Sequence, residues 1–167
     1  MDEEMVRRWR QGLAPFDGLL VGTDDCLPLP ILRAVLIAVG RRLQHSHPEP
    51  HLLTLQDWHE HDGYVNSARS TSWQELWETL ASDDRLYASR SSEDEVSNAF
   101  FPEDRSFYWR YHLLDEYEEP DDRPGRQGWF DVTCAEPLAR DLVEAIRAKG
   151  VTEITVEPAK QYFDRFA

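Results

Sequence analysis

The sequence predicts an α+β domain: an antiparallel meander of about four to five strands packed against helices, ending in a β-α-β-α segment. Three observations carry this. Ser72-Trp73-Gln74-Glu75 opens an amphipathic run of helical period. Two apolar stretches of period two flank Pro102-Glu103-Asp104-Arg105, as the arms of a β-hairpin do. After Trp129 the chain alternates between short extended and helical patterns. Strands adjacent in sequence pair antiparallel by default, and helices then cover one face of the sheet.

Residues 3–12 have the composition of a short helix that stops at Gly12, and Phe16–Gly22 reads as a short apolar strand or connector. Pro30 suits the first turn of a helix, where its missing N–H is not needed. From Ile31 to Gln44 the residues Ile31, Leu32, Val35, Leu36, Ile37 and Val39 leave hardly any polar face, which marks a buried central helix. Arg41 and Arg42 complement the negative end of its dipole. His45–Arg69 is the least regular stretch: Pro48 and Pro50 end the helix, Leu52–Leu55 forms a short strand, and Asp62-Gly63 signals a turn.

Ser72 and Glu75 then make a capping box, and Trp73, Leu76, Trp77 and Leu80 fall at i, i+3, i+4 and i+7 on one helical face. Arg85–Ser89 is a short strand candidate, and Val96–Phe101 with Phe107–Leu114 form the hairpin. In its second arm Phe107, Trp109, Tyr111 and Leu113 share one face, while Tyr108, Arg110, His112 and Leu114 share the other. Trp129–Val132 is a further strand. Glu136-Pro137 opens a helix with Leu138, Leu142 and Ile146 on one side, closed by Gly150. Val151–Val156 alternates as a strand, and Pro158 begins a last short helix carrying Tyr162, Phe163 and Phe166.

Length and composition fit one domain over residues 1–167, at 19.5 kDa. Eighteen basic against 32 acidic residues give a formal charge of −14 and a pI near 4.7. That balance argues against nucleic acid and against an anionic membrane as partners, because phosphate binding needs a basic surface. The most apolar stretch, Leu27–Gly40, is too short for a membrane span and is interrupted by Pro28, Pro30 and Arg33. The acidic start, Met-Asp-Glu-Glu-Met, is unlike a secretory leader, so the expectation is a cytoplasmic protein. Cys26 and Cys134 belong to no C-x-x-C pair and read as inert thiols in a reducing compartment. The excess of Arg over Lys, 16 to 2, reflects the coding bias of a GC-rich, bacterial genome.

No motif gives a positive reason to read the chain as an enzyme. There is no G-x-S-x-G, no phosphate loop and no cofactor signature. Asp24-Asp25 and Asp83-Asp84 suit turns or helix caps, with divalent-ion binding the alternative. Five of six histidines (His45, His47, His51, His59 and His61) fall within segment 45–62, together with Asp57, Glu60 and Asp62. Their spacing matches no closed metal site and reads as a solvated surface segment. The alternative function for the chain is a metal-dependent enzyme built on this segment.

The strongest local signal is Asp115–Gln127. Asp115, Glu116, Glu118, Glu119, Asp121 and Asp122 are six acids within eight residues, with Tyr117 among them. The segment joins two strands that a hairpin would connect with far fewer residues, and such long connections are functional or disordered. One reading is a solubilising loop. The other is an acidic face for a basic partner protein, with Tyr117 supplying apolar contact and with Tyr108 and Arg110 extending the patch if their sheet face is open. The expected function is therefore a small acidic protein-binding module. In charge and size, though in no motif, it is similar to the immunity proteins that neutralise nuclease toxins, and to inhibitors that engage a basic partner.

Overall fold

A computed structural model describes residues 18–60, 63–82, 85–86, 95–115 and 126–165; at 55–60, 63–68, 95–96, 115 and 163 it describes the backbone alone. The elements in chain order are β1 (Leu19–Gly22), β2 (Leu27–Pro28), α1 (Leu29–Ser46), β3 (His51–Glu60), β4 (Gly63–Ser72) and α2 (Trp73–Leu80). There follow β5 (Glu95–Phe101), β6 (Phe107–Asp115), β7 (Arg126–Cys134), α3 (Glu136–Arg147), β8 (Thr155–Pro158) and α4 (Ala159–Asp164). The domain is α+β. All eight strands join one antiparallel sheet in the order β4-β3-β5-β6-β7-β1-β8, with β2 paired to β7 beside β1.

The sheet is larger than the four or five strands expected, with β2 and β4 added, and two stretches of the chain differ from expectation. His45–Arg69 is not irregular: β3 and β4 pair over ten residues each, from His51 opposite Ser72 to Glu60 opposite Gly63. Gln56, Asp57, His59, Asn66 and Ser67 break the apolar alternation that would have marked these strands. Two residues, 61–62, connect them, at the Asp62-Gly63 turn signal. At the other end of the chain β8 begins only at Thr155 and pairs with β1, not with its sequence neighbour β7. Arg85 and Leu86 are helical rather than extended. The N-terminal helix expected at 3–12 lies outside the described residues.

Period-two alternation sorts the sheet into two faces. On the inner face Val21, Phe100, Phe107, Trp109, Tyr111, Leu113, Phe130, Val132 and Cys134 form one core with Leu32, Val35, Leu36, Val39 and Leu43 of α1, Trp73, Leu76 and Leu80 of α2, and Ala139, Leu142 and Ile146 of α3. This is the apolar face that the spacing of the second hairpin arm predicts. Burial pushes the Cys134 thiol up to about 12, which keeps it protonated and unreactive.

α1 approaches the sheet closely at Gly40. A Cβ there would stand 2.7 Å from Trp77 Cη2 and 2.9 Å from Trp109 Cη2. Two indoles therefore fill the space a side chain would need. Trp77 is held further by its Nε1 donating to Gln44 Oε1 at 3.1 Å, and Trp73 by donating to the His47 carbonyl at 3.2 Å.

The cap of α2 forms by half. Ser72 Oγ accepts from the Glu75 backbone N–H at 3.2 Å, as a capping box requires. The Glu75 carboxylate turns instead to the Thr71 hydroxyl at 2.6 Å and to Arg69 Nη1 at 3.1 Å. The Thr71 hydroxyl first, and Arg69 second, hold this carboxyl below its ordinary 4.5.

Two outcomes follow from these contacts. Gly40→Ala, which would favour an isolated helix, is expected to destabilise the protein by about 1–3 kcal/mol in urea unfolding, because the buried Trp109 indole and the partly buried Trp77 indole must both move. Glu75 has a depressed folded pKa, so its charge-dependent contribution is complete above its ordinary value and is lost as pH falls through the folded value. The melting-temperature deficit of Glu75→Gln at pH 7 should therefore shrink as the pH falls below 4.5; a deficit constant with pH would refute the role of the charge.

Candidate functional site

The outer face of the sheet is chemically unlike the inner one. Arg110 of β6 and Asp131 of β7 stand opposite each other in register, and both are buried, at 1% and 4% exposure. Arg110 Nε donates to Asp131 Oδ2 at 2.7 Å. Arg110 Nη2 donates to the Tyr162 hydroxyl of α4 at 3.0 Å. The guanidinium carbon lies 5.1 Å from the centre of the Trp129 ring and 5.9 Å from that of Tyr162. Trp129 in turn stacks on His112 of the adjacent strand, with centroids 5.3 Å apart and planes at 15°. A guanidinium tolerates such burial because its planar face is weakly hydrated and packs on rings.

Burial raises the Asp131 carboxyl above its ordinary value, against the pull of the Arg110 guanidinium. Burial likewise raises the Tyr162 phenol. The cover over this charge pair is α4, whose first residue Ala159 donates its N–H to the Gly18 carbonyl at 2.9 Å, just ahead of β1. Leu20, Ala99, Phe101, Tyr108 and Ala159 pack around the pair as a second, smaller apolar cluster, with Tyr162 against it.

Tyr108 and Arg110 are thus not on an open docking face. Tyr108 is completely buried, its ring stacked on Phe101 at 6.0 Å. Both residues belong to packing beneath a helix, the outcome that depended on sheet coverage. Asp131 was not singled out in the sequence. Its signal is a lone acid inside an apolar strand, Trp129–Val132, matched by a lone arginine inside the apolar strand Phe107–Leu114.

Beside the pair lies a cavity of about 160 Å³ lined by Leu20, Gly22, Thr23, Asp24, Trp129, Asp131, Thr155 and Tyr162. Thr23–Cys26 is an excursion between β1 and β2, both of which pair with β7. Asp24 and Asp25 sit exposed in that excursion and cap no helix: the residue at the start of α1 is Pro28, with no side-chain cap. Asp83 and Asp84 lie outside the described residues.

The acidic segment is positioned by the sheet. Asp115, the last residue of β6, pairs with Arg126, the first of β7, so residues 116–125 connect neighbouring central strands. Glu116, Tyr117, Glu118, Glu119, Asp121 and Asp122 lie outside the described residues. The register aligns Trp58 with Val96 and Glu95 with Leu114, so Glu60, Glu95 and Asp115 end their strands at the same end of the sheet. Together, positions 60–62, 93–95 and 115–125 contain eleven acidic residues and, of the basic ones, Arg123 alone besides His61.

Among the described residues the histidines form no group of metal ligands. His45 is in the last turn of α1, His47 follows it, and His51 begins β3. His47 Nδ1 lies 3.6 Å from Asp104 Oδ2. Burial opposes ionisation of Asp104, but the backbone and side chain of Ser106, and then His47, hold its carboxyl below its ordinary 3.8. His47 and His51 line a broad groove with Glu49, Glu103 and Asp104, at the opposite end of the sheet from Asp115. His59 is on β3 with its backbone alone described, and His61 lies outside the described residues. Among the described residues no three His, Cys, Asp or Glu side chains group as metal ligands, and no helix is long and apolar enough to cross a membrane. No family model, no curated protein and no solved structure matches the chain.

The ion pair can be tested by removing one partner and then both. Arg110→Met strands a buried carboxylate and is expected to cost about 3–5 kcal/mol in urea unfolding. The double substitution Arg110→Met with Asp131→Leu should recover most of that loss, since an apolar pair of similar volume replaces a buried ion pair with little penalty. A double variant no more stable than the single one would show that the two charges are not energetically coupled.

Proposed function

We propose that the protein is an acidic binding module that engages a basic partner protein, in the manner of an inhibitor or immunity-type protein, through the end of the sheet from which segment 115–125 departs. The observation that carries this reading is the collection of acid-rich connections at one end of a single sheet, within a chain of charge −14. Acids gathered this way repel one another at a cost to the free protein. A basic partner relieves that repulsion on binding, and the field of the cluster speeds the encounter and disfavours acidic competitors. Tyr117, within the run, offers the aromatic contact on which affinity concentrates once charges have aligned the partners. The reading needs no catalytic group.

Reversal of Glu118, Glu119, Asp121 and Asp122 to lysine tests it. The variant should melt at an unchanged or higher temperature, because it removes like-charge repulsion within the run. It should also lose the basic proteins that the native chain captures from lysate, as identified by mass spectrometry. For a captured partner, the association rate with the native chain should fall steeply between about 50 and 500 mM salt. Capture that survives the reversal, or an association rate indifferent to salt, would remove this function.

A further inference from the structure

The sheet ends in two unlike edges. On one side β8 has four residues, closes with Pro158 and runs directly into α4. On the other side β4 has ten residues in unbroken register with β3, and among the described residues no strand pairs with its far side. Exposed edges are ordinarily blunted by short length, proline, lysine or a bulge. β4 uses none of these: from Gly63 to Ser72 it contains no proline and no lysine. It also contains no acid, in a chain that has 32, and its one charge, Arg69, is offset by Glu75 Oε2 at 3.1 Å.

The ladder shows which backbone groups of β4 point away from the sheet. The Trp73 N–H donates to the Pro50 carbonyl at 3.3 Å, one step beyond the pair His51 and Ser72. Hydrogen-bonding direction alternates along an antiparallel strand. Val65, Ser67, Arg69 and Thr71 therefore turn their N–H and C=O groups to β3, whereas Tyr64, Asn66, Ala68 and Ser70 turn theirs to the free side. The Ser70 carbonyl agrees with this parity, since it is open to Arg69 Nη1, which donates to it at 3.4 Å. Such a row of outward groups is a template for one more strand.

We propose that β4 is the interface through which two copies of this chain join into one continuous sheet, antiparallel about a two-fold axis at Ser67. In that register Tyr64, Asn66, Ala68 and Ser70 of one copy face Ser70, Ala68, Asn66 and Tyr64 of the other, so each outward group in the run meets a partner. Charge selects both the second copy and the antiparallel sense. A body of charge −14 approaches its own copy with least repulsion along its neutral edge. The acid-rich end of the sheet begins beside Gly63, opposite Glu60. Antiparallel pairing sets Gly63 of one copy opposite Thr71 of the other and so sends the two acidic ends apart. They are separated by about 26 Å along the strands, or about three Debye lengths at physiological salt. A parallel pairing would place them side by side. This interface goes beyond the function proposed above and does not rest on it.

Sedimentation equilibrium of the full chain tests the interface. The mass should rise with protein concentration from 19.5 kDa to twice that value. The dimer should tighten as salt rises from about 50 to 500 mM, because salt screens the repulsion between two acidic bodies. Capture of a basic partner responds to salt in the opposite direction, so failure here and failure of the function proposed above are distinct results. Ala68→Pro removes an outward N–H that β3 does not use, so the variant should melt at an unchanged temperature and stay monomeric. Ser67→Cys sets two thiols across the two-fold axis, with Cα atoms about 4.5 Å apart, and should oxidise to a disulfide-linked dimer. Val65→Cys, which faces position 69 of the other copy, should not. A mass of 19.5 kDa at every concentration and salt, a dimer that persists in folded Ala68→Pro, or cross-linking no greater in Ser67→Cys than in Val65→Cys would overturn the proposal. If Ala68→Pro does not fold, the two cysteine variants decide.

Discussion

The ion pair between Arg110 and Asp131 constrains the outer half of this fold. Two unlike charges stand opposite each other on adjacent central strands, both at or below 4% exposure. A slip of one residue between β6 and β7 would turn one charge into the apolar inner core and leave the other unpaired. The pair therefore specifies register more than it adds stability, since the desolvation of two ions consumes most of what their attraction returns. It also demands a cover. Trp129 and Tyr162 provide that cover, and Tyr162 can do so only because β8 has crossed to pair with β1 and delivered α4 to the outer face. The position of the last strand and helix thus serves a charge buried two strands away.

The two faces of the sheet divide the work of folding. The inner face presents Trp109, Tyr111, Phe130 and Val132 to three helices and buries the larger core. The outer face has only the six residues of α4 as described helical cover, and a correspondingly small apolar cluster. Where apolar cover is scarce, rings over a guanidinium supply both burial and electrostatic stabilisation. The excursion at Thr23–Cys26 belongs to the same economy. It lets β1 and β2 both pair with β7 while lifting Thr23 and Asp24 to the rim of the cavity over Gly22.

How much of this was legible in the sequence depended on whether the signal was local. Helix α2 was, because Ser72 and the spacing of Trp73, Leu76, Trp77 and Leu80 act within eight residues; only the partner of Glu75 differed, since Thr71 and Arg69 compete for its carboxylate. The β5–β6 hairpin and the sorting of Phe107–Leu114 into two faces were legible for the same reason. β3 and β4 were not, because their alternation is broken by polar residues and β3 is held largely by its two neighbours in the sheet. The partner of β8 is a non-local choice with no sequence signature at all. For the site, the alternation placed Arg110 outward but left open what lay above it, and the burial of Tyr108 and Arg110 followed from α4, some fifty residues away. The acidic run at 115–122 was visible as composition, whereas the convergence of Glu60, Glu95 and Asp115 on one end of the sheet required the register.

The register also separates the acidic end of the sheet from the cavity electrostatically. Asp131 and Arg126 are five residues apart on β7, or about 16 Å along the strand. At physiological salt this is about two Debye lengths, so exposed charge at the sheet end acts only weakly on the cavity. Positions 60–62, 93–95 and 115–125 hold eleven acids against Arg123 and His61, and a surplus of one sign of charge acts at long range on a surface of the other sign. The cavity, with Asp131 and Trp129 in its lining, lies beside the buried ion pair. Concentrating all the acids around the cavity would have added like-charge repulsion to the cost of burying Asp131. Keeping the surplus charge on the connections at the sheet end, and a neutralised pair in the middle of the face, allows the chain to be strongly acidic and still bury a carboxylate.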